Sequence, residues 1–180
     1  MLTGAWLSDI EINAYLNLLK KYCVENNLEK WYERYFDFSC TVSSSQTLDF
    51  VRVVNVNNNH WICCVGGQFI ANEDVCIYDS MVRSSIEPNL AMQARKWCPA
   101  EKKKIVFRVQ KTAKQVGCWC GYYALAYATT ICFNEDPETN EFLQDLMPQH
   151  FILSIQNQEI SMFPHRRKKV RNTEHMILII

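Results

Sequence analysis

A histidine, an aspartate and a cysteine followed by glycine lie in that order along the chain, at His60, Asp79 and Cys120-Gly121. The first two fall in β-type runs, HWICCVG at 60–66 and VCIYD at 75–79. An antiparallel hairpin pairing 60 with 79 also pairs Ile62 with Ile77 and Cys64 with Val75, so each pair is apolar and faces one way. The expected result is His60 beside Asp79 at one end of a sheet, where a carboxylate can accept the imidazole N–H and fix its tautomer. Either residue alone would more often be a strand end or a turn cap. Gly117-Cys118-Trp119-Cys120-Gly121 leads into CGYYALAYATTICF, 120–133, an apolar run with central alanines that predicts a buried helix. A cysteine there meets the open N–H groups and positive dipole end of the helix, which favour its thiolate. His60 is then its proton acceptor, and Gly121 is expected to let a substrate backbone come close.

Nine cysteines in 180 residues are many, yet the odd count cannot pair fully and Cys63-Cys64 and Cys118-x-Cys120 are too local for a disulfide framework. Reduced thiols in the cytosol or nucleus are the expectation. Cys64, Cys76 and Cys132 fall on apolar positions and read as inert buried thiols. Zinc held by Cys63, Cys64, Cys118 and Cys120 with a histidine is the weaker alternative, because paired C-x₂-C knuckles are missing. No cofactor and no metal are expected.

The elements that must position these residues follow from periodicity. Ser8 or Asp9 caps an amphipathic helix over 9–23, with Ile12, Leu16 and Leu19 in register. A short helix over 27–36 and a loop at Ser43-Ser44-Ser45-Gln46 follow. FVRVVNV (50–56) joins the 60–66 strand through three asparagines, residues that tolerate left-handed backbone in turns. Pro88 starts a helix through 89–97, KIVFRVQ at 104–110 is a strand, and a last helical section covers 138–156. The terminal MILII reads as an edge strand or an arbitrary end. The class is α+β with a mixed or antiparallel sheet, without repeats or a second domain.

Hydrophobic residues at 48%, charged residues at 21% and zero net charge describe a globular chain with no charge argument for nucleic acid. The opening residues do not read as a secretory signal, and no apolar run is long enough to span a membrane. Five of the 19 basic residues cluster at Arg166, Arg167, Lys168, Lys169 and Arg171. The expected reading is a solvated basic tail over 165–180 beyond a domain over 1–164, with a nuclear-import signal or phosphate contact as the functional option.

The order His60-Trp61, Tyr78-Asp79-Ser80, Gln115 and Cys120-Gly121, with an opening Trp6-Leu7-Ser8-Asp9 and a late Phe163-Pro164 before basic residues, resembles the ubiquitin-like-protein-specific (SUMO/sentrin-type) proteases. These are papain-like cysteine peptidases of the adenain clan. The likeness is closest to divergent copies encoded by animal transposable elements, and it spans residue 6 to about 165. It implies a central mixed β-sheet flanked by helices, with the nucleophile at the N-terminus of a buried helix. By the same resemblance Cys120 attacks the carbonyl after a Gly-Gly tail of a SUMO-like modifier, His60 moves the proton and Asp79 orients His60. Gln115 and the Cys120 N–H form the oxyanion hole, where each donor contributes ~3 kcal/mol. The resemblance further implies that Trp6 and Trp61 flank a narrow channel and that Asp9 and Gly121 complete the substrate contacts, with a nuclear or cytoplasmic place of action as the expectation. Two departures stand out: Trp119 replaces the family's acidic residue, and Gln115 lies five rather than six positions before the cysteine. A relative that binds the modifier without cleaving it is the alternative they leave open.

Overall fold

Helix α1 (Asp9–Glu25) begins with a reciprocal cap. The Ser8 hydroxyl accepts from the Glu11 N–H at 3.5 Å while the Glu11 carboxylate accepts from the Ser8 N–H at 2.8 Å. The computed structural model describes residues 6–26, 28, 50–66, 75–81, 85–98, 103–111, 115–168 and 176–179. The helix expected over 27–36 and the loop at 43–46 lie outside these.

β1 (Phe50–Val56) and β2 (His60–Gly66) form a hairpin that pairs Val56 with His60. Asn57 and Asn58 take φ of 55° and 56°, the left-handed backbone that asparagine enters more easily than other side chains do. β3 (Val75–Asp79) is antiparallel to β2, and β4 (Val106–Lys111) is parallel to β3 after the crossover through α2 (Pro88–Trp97). α3 (Cys120–Cys132) precedes a short strand, β5 (Asn140–Phe142), and α4 (Met147–Asn157). β6 (His165–Arg167) pairs with β5, and β7 (Met176–Ile179) pairs with β4. The main sheet runs β1-β2-β3-β4-β7.

Alternate strand residues feed two cores. Val53, Cys63, Cys76 and Tyr78 pack toward α1, α3 and α4, while Phe50, Ile62, Cys64, Ile77 and Phe107 pack toward α2. Every residue of α3 is buried. Its two threonines are accommodated by hydroxyl bonds to the carbonyls four residues back, both at 2.8 Å. The Tyr15 hydroxyl meets that of Thr129 at 3.2 Å, joining α1 to α3.

Two expectations change. The β2–β3 register pairs Cys63 with Tyr78 and Cys64 with Ile77, two residues away from the sequence-based pairing. A two-residue slip leaves every side chain on its own face, so apolar alternation cannot detect it. The helix expected over 138–156 is two single 3₁₀ turns and β5 before α4 starts at Met147. Pro148 then takes an early position of the helix, where its missing N–H costs nothing. Residues 165–167 pair with β5 as β6, and 176–179 form β7 at the edge of the main sheet, the edge-strand reading of the terminal MILII.

Candidate active site

His60 is the first residue of β2 and Asp79 the last of β3. The observed register, carried on, sets Asp79 opposite Ile62 and makes His60 its diagonal neighbour on the same face, close enough for long side chains to meet. They do meet: His60 Nε2 and Asp79 Oδ1 are 2.6 Å apart, with both residues buried. The same carboxylate oxygen accepts the Met81 N–H at 2.8 Å, which fixes its position from a second direction. Cys120 is the first residue of α3, where Trp119 caps the helix without a side-chain hydrogen bond. Its thiol interacts with the His60 ring. His60 Nδ1, the nitrogen not taken by Asp79, is buried without a hydrogen bond of regular geometry.

Burial alone would lower the imidazole pKa. The hydrogen bond to Asp79, followed by the Cys120 interaction, outweighs it and raises the ring from 6.5 to about 9. The other buried thiols differ. Burial pushes Cys63 and Cys64 well above an ordinary thiol and Cys76 up to about 12, so these stay neutral. Cys118 is exposed. Among the described residues no group of three or more His, Cys, Asp or Glu side chains is placed to hold a metal ion.

No protein-family model and no curated protein matches the chain. Solved structures do. The SUMO protease Ulp1 with its catalytic cysteine oxidised to a sulfenic acid matches at a TM-score of 0.58 and 14% identity, covering 88% of this chain and 81% of that one. The C-terminal Ulp1 protease domain in complex with SMT3, the yeast ortholog of SUMO, matches at a TM-score of 0.55 and 14% identity, covering 87% and 79%. The fold is the papain-like fold of the Ulp1 protease domain.

Within this Ulp1-like fold the remaining candidate residues have varied surroundings. Gln115 accepts from the Ser80 hydroxyl at 2.5 Å and donates to the Gly117 carbonyl at 2.7 Å, so its amide braces the loop ahead of Cys120. Gln144 holds that loop from the other side: its oxygen accepts the Val116 N–H at 3.0 Å and its nitrogen donates to the Val116 carbonyl at 3.2 Å. Nothing in the sequence pointed to Gln144, because its role depends on a contact 28 residues away. Lys114, the residue six positions before Cys120, is outside the described residues.

Gly121 was expected to admit a substrate backbone, but Leu7 occupies that space. A Cβ on Gly121 would lie 3.0 Å from the Leu7 Cβ. The Trp61 indole N–H donates to the Leu7 carbonyl at 3.0 Å, clamping the segment before α1 over the tip of α3. Trp61 is buried, Trp6 is 39% exposed, and Asp9 lies with Trp61 on the rim of one cavity.

Proposed function

We propose that this chain is a cysteine peptidase of the SUMO-protease type, cutting after the C-terminal Gly-Gly of a ubiquitin-like modifier in the nucleus or cytoplasm. The observation that carries the reading is the 2.6 Å His60–Asp79 contact, with Cys120 against the same imidazole at the start of α3. In this reading the imidazole takes the thiol proton through Nδ1, while Asp79 holds Nε2–H and stabilises the imidazolium. The thiolate attacks the acyl carbonyl, the imidazolium protonates the departing amine, and water then releases the acyl group. The oxyanion meets the open N–H groups at the helix start. Likeness to Ulp1, one of whose structures holds SMT3, supports the choice of modifier.

The test is turnover of a SUMO C-terminal fluorogenic substrate, with a ubiquitin substrate beside it. Cys120→Ala is expected to remove the activity, a loss of at least ~10⁴-fold; turnover that survives the substitution rejects the reading. One observation favours the alternative of a non-cleaving binder, namely the use of the Gln115 amide within its own loop. That reading predicts modifier binding with no covalent adduct to a vinyl-sulfone probe.

A further inference from the structure

Arg52, Val53, Val54 and Asn55, four consecutive residues of β1, border one cavity of about 380 Å³. Side chains alternate between faces along a strand, and here Val53 packs into the core under α1 and α3 while Val54 packs into the core under α2. The surface common to all four residues is the edge of the strand. β1 is an edge strand, with β2 its one neighbour among the described residues. The cavity is therefore a trench along that edge, where alternate residues present N–H and C=O groups outward.

Each wall has its own chemistry. On the α2 side, Trp97 and Gln93 line the trench, and the Arg52 guanidinium stacks 5.3 Å from the Trp97 ring and 5.7 Å from the Phe50 ring. On the α1 side stand Asp9 and Asn13. One wall offers a cation held against aromatic rings and the other an exposed carboxylate. We propose that this trench binds an extended peptide as an additional strand on β1, with an acidic residue facing Arg52 and an adjacent basic residue facing Asp9.

The geometry is selective. Neighbouring residues of an added strand point to opposite walls, so an acid and a base side by side meet their complements, whereas the same pair spaced by two would share one wall. Residues 52–55 span roughly 13 Å of strand, room for about four peptide residues. Trp61 borders the hairpin end of the trench and adjoins His60 in sequence, so a bound strand leads toward the candidate active site. Asp9 and Trp61 are also substrate contacts implied by the resemblance, so the trench would extend the proposed peptidase site; binding itself needs no thiol chemistry and is tested apart from turnover.

Fluorescence anisotropy with labelled, end-blocked hexapeptides tests it. The peptide Thr-Val-Glu-Lys-Val-Thr is expected to bind about tenfold more tightly than one in which Glu and Lys are separated by one residue. N-methylation of alternate peptide nitrogens is expected to weaken binding about tenfold, and methylation of the intervening ones to leave it unchanged. Arg52→Gln is expected to lower affinity for the Glu peptide while leaving its Gln counterpart unaffected, with thermal melts confirming the fold. No saturable binding up to about 1 mM, equal affinity for both spacings, or indifference to N-methylation at every position would each overturn the proposal.

Discussion

Two loops deliver the two halves of the candidate site, and they are held by different means. The asparagine turn that starts β2 at His60 closes within itself: the Asn59 N–H donates to the Val56 carbonyl at 3.3 Å, and two asparagines supply the left-handed backbone. The loop that ends at Cys120 depends on distant residues. Ser80, 35 positions away, binds the Gln115 amide and accepts its backbone N–H at 3.0 Å, and Gln144 clamps Val116 from beyond α3. The histidine's approach is thus encoded locally, and the cysteine's is assembled by tertiary contacts.

The largest expected effect is on pH dependence. The folded-state pKa of His60, about 9, is above its ordinary 6.5. Its contribution to stability is therefore full below pH 6.5 and disappears as pH rises through about 9, a change on the order of 3 kcal/mol. Urea denaturation across that window measures it, and the loss should be smaller by about this amount in His60→Gln. Equal slopes would mean that Asp79 and Cys120 do not hold the imidazolium.

Next is Gly121→Ala, which drives a methyl group into Leu7 at the tip of α3 and should cost about 2 kcal/mol by overpacking. Leu7→Ala in the same chain removes the Cγ and Cδ1 contacts at 3.3 and 3.2 Å while keeping the Cβ, so it should recover part of that loss in a thermal melt. Additive losses would show that the contacts beyond the Cβ carry none of the strain.

Gln144→Ala tests the distant loop directly. Removing two backbone contacts at a partly exposed position is expected to lower kcat/KM by roughly tenfold, ~1.5 kcal/mol, mainly through kcat. Gln144→Glu keeps the acceptor for the Val116 N–H and should recover part of the rate. The alkylation rate of Cys120 provides a second readout that does not require peptidase turnover, and no change in either would leave the clamp without a role at the thiol.

The smallest effects belong to the local turn. Asn57→Ala or Asn58→Ala should each reduce stability by about 1 kcal/mol, and glycine at either position by only a few tenths, because φ there is positive. Losses in turnover far beyond the losses in stability would show that the turn, too, relies on contacts elsewhere.

Much of the fold can be read from local pattern: the Ser8 cap, the β-type runs at 50–56 and 60–66, and the apolar 120–133 run that became α3. Local pattern misled where a short 3₁₀–strand–3₁₀ passage, 137–146, looks like helix until its pairing with β6 is known. At the site, residue type and order singled out His60, Asp79 and Cys120. Their order could not reveal that Leu7 fills the space beside Gly121, or that Gln115 braces its own loop.

By itself the sequence determined the β-type runs, the buried helix and where helices and turns begin, because composition, capping and the backbone freedom of asparagine act over a few residues. The two-residue register between β2 and β3, the trench along β1 and the support of the Cys120 loop were decided by tertiary structure alone. Each depends on groups far apart in the chain, and an alternating strand is equally satisfied by a shift of two.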